Sequence, residues 1–454
     1  MGVETLDQLL DSVESPLGLF RRTDWDRSMY DFPDEYTNWI EEQRAVQESC
    51  AIVDQSHHMT PLYVEGPDAL RLLSDLGTNS FQNFEDGSPP MAKQLLMCNP
   101  DGYRIRDVVL FYLDEETFLT TGSEIPQNWI QYNLETGDYD AAARKPYRPA
   151  RGETPPDFRF EVQGPRALEV MESAVDGGLP DVSFFEMDEV TIDGIDAYAL
   201  GHGMAEAPGL EVFGSFDHHD AVEAAILEAG EPYGIRRMGS KAYKTGKIGS
   251  GWIQLTVPAI YDGEEMASYR RWLPADGPEA RMSIGGSFEP DDVADYYVDP
   301  FDCSQGHLVS FDHDFVGREA LERRATESTR EKVTFVWDSA DVIDVYDSLF
   351  REGESYKYID LPDTARQWSM THYDEVRRDG RVVGVSKYPG YLYYEREMLS
   401  LGLVEREYAE PGTEVTLVWG EEGSAKLRVE RHVETAIRAT VAPSPYVLGG
   451  RRDL

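Results

Sequence analysis

The chain is poor in cysteine, in lysine and in long apolar runs, and each shortage removes a class of answer. Cys50, Cys98 and Cys303 are its three cysteines, far apart in 454 residues and with no Cys-x-x-Cys between them. That excludes a disulfide framework and a cysteine zinc site, and it fits reduced thiols in a cytoplasmic protein. No segment approaches the roughly 18 apolar residues that cross a bilayer, and the first residues lack a basic stretch followed by an apolar core, so membrane attachment is not expected. With nine lysines and no basic stripe, nothing is built to grip a phosphate backbone, which sets nucleic acid aside. Walker A, His-Glu-x-x-His and Gly-x-Ser-x-Gly patterns are also absent, and Gly201-His-Gly203 lacks the third glycine of a dinucleotide loop.

What the chain has in excess is acid. Its 85 aspartates and glutamates face 42 basic residues, a net charge of -43, and they spread along the whole length. Such a surface stays hydrated in concentrated salt and predicts a halophilic, haloarchaeal source. At roughly 1 M salt the Debye length is only about 3 Å, so the net charge would not repel an anionic ligand from a local cationic patch. One stretch departs from the pattern: Ser240–Trp252 holds Lys241, Lys244 and Lys247 within seven residues, together with Tyr243, three glycines and Trp252. Cation, ring and bare backbone together suit a flat anionic ligand. A solvated turn over a buried tryptophan explains the same residues equally well.

The length implies roughly two to four domains. Leu6, Leu9, Leu10 and Val13 fall at helical spacing, and residues 1 to about 50 read as helical. Ala51–Val53 reads as a strand with Asp54 to His58 as its polar continuation. Adjacent histidines on a strand would face opposite sides, so His57 and His58 are not expected to share a metal, and no metal site is predicted. Strands at Leu62–Val64, Ile105–Tyr112 and Thr117–Thr121 alternate with helices opened by Pro67 and spanning Gln127–Leu134. Hairpin-paired strands with single helices between them describe an α+β fold rather than a doubly wound one. Phe158–Val162, then Gly164-Pro165 and a helix over Arg166–Val175, repeats the layout around Gly66-Pro67. Glu211–Phe213 is a short strand and Ala221–Ala229 a helix. Beyond about residue 330, Lys332–Trp337, Val382–Val385 and Glu414–Trp419 predict a β-rich domain over 331–454.

Polar and aromatic residues at turn-flanked positions remain: Gln55, His58, Asp107, Glu211, Tyr243 and Trp252. A tyrosine is a protonated donor at neutral pH, suited to an oxygen leaving group, and a carboxylate suits a ligand offering two parallel N–H groups. The strings Asp54-Gln-Ser-His-His-Met59, Ala205–Val212, Gly239-Ser-Lys-Ala-Tyr243, Ser250-Gly-Trp-Ile253, Pro258–Gly263, Ile284–Phe288, Asp295–Val298 and Phe311–Arg318 resemble the tetrahydrofolate-dependent aryl methyl ether O-demethylases. Those belong to the superfamily of the glycine cleavage T-protein, the aminomethyltransferase. The resemblance implies a three-domain, cloverleaf-like folate-binding fold, with residues 1–330 as two interleaved α+β subdomains, one centred on about 50–145.

It further implies a tetrahydrofolate-dependent methyltransferase that moves a methyl group from a small methoxylated, aromatic compound to N5 of tetrahydrofolate. Glu211 would hold the pterin through N3 and the 2-amino group, with Trp252 and Phe185 packed at the cofactor and Lys244 near its glutamate tail. Tyr243 stands where the glycine-cleavage branch has an arginine and would donate towards the ether oxygen, with Asp107 at an acidic position of the superfamily. Gln55, His58 and Tyr30 would line the substrate side. The demethylases of benzoate-type substrates carry a carboxylate-binding arginine where this chain has Ser123, which cannot form a cationic clamp. The alternatives are a T-protein, which would need a lipoyl carrier protein as partner, and a folate-binding protein without transferase activity. Tyr243 in place of arginine argues against the first, and the absence of a cysteine near it argues against the second's iron–sulfur-assembly relatives.

Overall fold

The computed structural model describes residues 3–24, 31–88, 90–148, 152–203, 207–362 and 371–446. Tyr30 lies outside the described residues. Short capped helices open the chain: Thr5 accepts from the amide of Gln8 ahead of Leu6–Asp11, and Asn38 accepts from the amide of Glu41 ahead of Trp39–Glu48. Helical character over the first fifty residues is therefore broken into pieces.

Strand β1 (Cys50–Asp54) and strand β2 (Thr60–Glu65) are neighbours in sequence but enter different sheets. With β2 run β3 (Met91–Cys98), β4 (Arg104–Asp114), β5 (Thr117–Gly122) and β6 (Ala142–Arg144), in the order β3-β4-β5-β2-β6. With β1 run β7 (Asp157–Gln163), β8 (Met187–Ile192), β9 (Ile195–Gly201), β10 (Gly209–Ser215) and β11 (Ile235–Arg237), in the order β11-β1-β7-β10-β9-β8. Pairing is antiparallel except between β1 and β11, so the expected α+β class holds. The chain leaves the strand after Asp54: Gln55 to His58 form the turn into β2, with the His58 amide donating to the Gln55 carbonyl. The two histidines are thus turn residues, not opposite faces of a strand.

The echo between Gly66-Pro67 and Gly164-Pro165 is a shared backbone device. Both glycines sit at φ near +130°, 129° and 137°, where a Cβ would meet a backbone oxygen at 2.7 and 2.6 Å. Each lets a strand turn directly into a helix, Ala69–Leu76 and Ala167–Ala174. The two sheets meet through Ala92, Phe111 and Leu119 on one side and Met187, Leu200 and Phe213 on the other, a single apolar cluster.

After the short β12 (Ile284–Gly285), the C-terminal part closes into a barrel. Its strands are β13 (Arg330–Trp337), β15 (Asp374–Arg378), β16 (Arg381–Leu392), β17 (Glu397–Glu405), β18 (Glu414–Trp419) and β19 (Thr435–Ala442), while β14 (Thr371–His372) pairs with β12. β19 buries alternate residues, the pattern of a wall with one face inward. Closure between β13 and β19 leaves no open edge.

Ile253–Val257 threads between β4 and the barrel. Arg104 donates to the Ile253 carbonyl at 3.1 Å and Arg106 to that of Thr256 at 3.1 Å from one side. From the other, the Tyr388 hydroxyl donates to the Leu255 carbonyl at 2.6 Å and the Tyr373 hydroxyl accepts from the Val257 amide at 3.3 Å. A stretch without ladder partners thereby satisfies its backbone with side chains of both neighbours.

Candidate active site

Strand β7 reads Asp157-Phe-Arg-Phe-Glu-Val-Gln163, a strict alternation. Phe158, Phe160 and Val162 face a core shared with Val170 and Met171 of the helix Ala167–Ala174 and Val222 and Ile226 of the helix His219–Gly230. Arg159, Glu161 and Gln163 face the other way, yet they are as buried as the phenylalanines. A polar face that never reaches water must find partners or a ligand.

Glu211 on β10 lies directly opposite Glu161 on β7. The Arg159 guanidinium pairs with Glu211 Oε1 and lies over the rings of Phe213 and Phe111, at 4.4 and 5.2 Å. Gln55, one residue past β1, donates its side-chain amide to Glu161 Oε2 and its backbone amide to the Arg159 carbonyl. His202 follows β9 and brings Nδ1 to 3.9 Å from Glu211 Oε2, with burial holding its imidazole below the usual range. Phe185 takes a left-handed backbone, φ 62°, and sets its ring 5.5 Å from that of His202.

Tyr243 ends the short helix Ser240–Tyr243. Its ring lies 5.6 Å from His58 and 5.5 Å from Phe32, and these two stack on each other at 5.2 Å. Burial, then the nearby carboxylates of Glu161 and Glu211, push its phenol well above the ordinary value. Burial pushes His58 down to about 4, against the pull of Asp54 and with the nearby Lys244 cation adding to the effect. At neutral pH a protonated phenol therefore stands beside a neutral imidazole.

Gln55, His58, Glu211 and Tyr243 thus converge, and Phe185 joins them through His202. Asp107 and Trp252 belong to an adjoining network. Asp107 on β4 accepts from Arg104 at 2.8 Å and from Gln94, and Arg104 in turn holds the Ile253 carbonyl next to Trp252. Ser123 precedes the helix Glu124–Thr136 as its N-cap and makes no side-chain bond to the helix end. The cationic island is not an island in space: Lys241 pairs with Glu35 at 2.9 Å, and Lys247 is buried with its ammonium 4.4 Å over the Tyr388 ring. Lys244 is the one whose charge is felt at His58. Arg159, Glu161 and His202 were not singled out from the sequence, although the alternation in β7 marked the first two.

The family profile described as the GCVT N-terminal domain matches residues 22–256. A syringate O-demethylase from Sphingobium sp. is 39% identical over 448 residues, covering 98% of this chain and 96% of the relative. The chain belongs to the GCVT family. A second relative, a sesamin methylene transferase from Sinomonas sp., is 32% identical over 91% of the chain and 90% of its own length. The glycine cleavage system aminomethyltransferase T from Bartonella henselae shares the fold, with a TM-score of 0.62 at 16% identity over 94% and 95% of the two chains. The chain is a transferase of one-carbon units with tetrahydrofolate as cofactor.

The residues present fit that cofactor. Gln55 Oε1 and His202 Nδ1, flanking the two glutamates, and the indole Nε1 of Trp252 are buried without a hydrogen-bond partner. A reduced pterin has a flat pyrimidine ring and carries donors and acceptors around its rim, which is what carboxylates, amide oxygen and ring nitrogens require. Among the described residues no group of three or more histidine, cysteine, aspartate or glutamate side chains could hold a metal ion, and no helix is long and apolar enough to cross a membrane.

Proposed function

We propose that the protein removes the methyl group of a methoxylated aromatic compound and passes it to N5 of tetrahydrofolate. The observation that carries this reading is Tyr243, a phenol kept protonated by burial and by two carboxylates, and walled by Phe32 and His58. Glu211 would hold the pterin by a bidentate pair, with Arg159 fixing one carboxylate oxygen, and Trp252 and Phe185 would pack against it. Tetrahydrofolate supplies the nucleophilic amine when bound. Tyr243 would hold its proton at the hydroxyl and present it to the ether oxygen, stabilising the charge that grows there as the C–O bond breaks.

Because its phenol lies well above the ordinary value, Tyr243 would act by sharing its proton with the departing phenoxide. Outright transfer would follow only where the same burial makes that phenoxide equally basic. Gln55 and the neutral His58 would line the substrate side, and Asp107, held by Arg104 at 2.8 Å, would keep the acidic position of the superfamily. The syringate O-demethylase and sesamin methylene transferase relatives support an oxygenated aromatic ring as substrate. A cytoplasmic setting in concentrated salt belongs to the same reading, as do a folate-binding region over 1–330 and a barrel over 331–454.

The test is to incubate the protein in high salt with tetrahydrofolate and a panel of mono- and dimethoxybenzoates, and to follow 5-methyltetrahydrofolate and the free phenol together. Stoichiometric appearance of both is expected. Methylene transfer from a methylenedioxy donor without any methyl transfer would move the substrate class to that of the sesamin relative.

A further inference from the structure

The helix that carries Tyr243 is a single turn, Ser240–Tyr243, and one turn of helix does not hold itself in water. Its place is imposed from outside, at both ends, by the helix Trp39–Glu48. At the front, Glu42 accepts from the Gly239 amide at 2.9 Å, while its other oxygen accepts from the amides of Tyr36 and Thr37 at 2.8 Å. At the back, the Gln43 side-chain amide donates to Thr245 Oγ1 at 2.9 Å, and that hydroxyl donates to the Ala242 carbonyl at 2.6 Å. Gln43 also reaches the barrel at the end of β16: it donates to the Tyr391 carbonyl at 3.1 Å and accepts from the Tyr393 amide at 2.8 Å. Glu42, Gln43 and Thr245 are all buried, so water does not compete for these bonds.

Resting on the reading of Tyr243 as the group that donates to the ether oxygen, we infer that Gln43 is a positioning residue for that phenol and ties it to the barrel. The bonds form one line: Tyr391 carbonyl, Gln43, Thr245 hydroxyl, Ala242 carbonyl, and then the peptide of Tyr243 itself. Gln43 spends both N–H groups and its oxygen on three elements at once, which a residue serving only to fill the interior has no need to do. A hydroxyl at the tip of a side chain swings further than the backbone that carries it, and a displacement of about 1 Å at a reacting centre costs about 10²-fold in rate. Removing the Gln43 amide leaves the single turn fixed at its front by Glu42 and loose at its back, next to the phenol. The Glu211–Arg159 pair stands on β7 and β10 and is outside this line of bonds, so cofactor binding and phenol placement are separable.

A double-mutant cycle on the full chain tests the inference, with Gln43→Met, which keeps the length and loses the amide, combined with Tyr243→Phe. Gln43→Met alone should slow single-turnover formation of 5-methyltetrahydrofolate by about 10- to 100-fold, with the affinity for tetrahydrofolate within about twofold of wild type. Added to Tyr243→Phe, it should slow the reaction by less than about threefold more, because the group it positions is already gone. The same loss in both backgrounds, an unchanged rate, or a folate affinity that falls in step with the rate would overturn the role of Gln43 and leave that of Tyr243 standing. Thr245→Val cuts the line on the helix side while Gln43 keeps its hold on the barrel, and the same cycle run with it decides the matter if Gln43→Met does not fold. A Tyr243→Phe variant as fast as wild type would overturn the reading of the phenol and this inference with it.

Discussion

Two buried charge clusters in this chain are built to opposite rules. In the barrel, Glu421 is enclosed by Lys357 and by Lys426 at 3.2 Å, Lys426 also donates to the Ile284 carbonyl, and the Glu421 amide donates to His432 at 2.9 Å. Burial alone would raise Glu421, but the two lysines overcome it and bring it down to about 2. His372 and Asp374 complete the group with a 2.9 Å contact. In the sheet around Glu211, two carboxylates face one another, one held by an arginine and the other by an amide, and Gln55 and His202 keep unpartnered atoms between them. The barrel cluster joins opposite charges and leaves one open atom, His372 Nδ1; the sheet cluster sets like charges face to face and leaves two, Gln55 Oε1 and His202 Nδ1. Burial of charge does not by itself mark a binding site, whereas buried charge left with convergent open valences does.

The sharpest way to break this contrast is to remove one group from each cluster and read different quantities. Tyr243→Phe should cut single-turnover formation of 5-methyltetrahydrofolate by about 10²–10⁴-fold while tetrahydrofolate binding persists. An unchanged rate would remove the phenol from the chemistry. Glu421→Gln should act on stability instead. Stranding Lys357 and Lys426 without their carboxylate is expected to cost about 3–5 kcal/mol in denaturant unfolding, with folate affinity of the folded fraction unaltered. A variant that unfolds normally but binds folate poorly would show that the barrel cluster is not merely structural.

A smaller effect tests the end of β1. Burial would lower His219, but Asp54 at 3.1 Å and Asp220 at 2.8 Å raise it to about 9. A folded value above the unfolded one near 6.5 means that this pair stabilises fully below pH 6.5 and loses its contribution as pH rises through about 9. With the imidazole partly exposed, His219→Gln should cost on the order of 1 kcal/mol at pH 6, and the difference from wild type should close by pH 10 in urea melts.

The sequence made some of this visible through local rules and hid the rest behind distance. Hairpin strands, Pro-opened helices and the paired Gly-Pro turns obey short-range geometry, and they appear where expected. Glu211, Tyr243, Gln55 and His58 were reachable through resemblance. Glu161 could have been found by asking why β7 alternates charged and aromatic residues, since a strand flanked by layers on both sides has no solvent face to give them. His202 had no such signal, because it reaches Glu211 only when β9 is laid beside β10. The lysines of Ser240–Trp252 were the converse error. Proximity along the chain put three cations together, but Glu35 and the Tyr388 ring draw two of them to other partners. Barrel closure depended on β17 and β19, whose pairing with β13 is a property of chain ends meeting.

The threaded segment Ile253–Val257 bears on how the protein could be cut or recombined. Its carbonyls and amides are held by β4 on one flank and by barrel tyrosines on the other, and the residue just before it is Trp252. Severing the chain near residue 330 would strip Leu255 and Val257 of Tyr388 and Tyr373, leaving a bare backbone strip beside the indole. The barrel is therefore no detachable module: a graft that exchanged it for another would have to bring its own two tyrosines to the same seam.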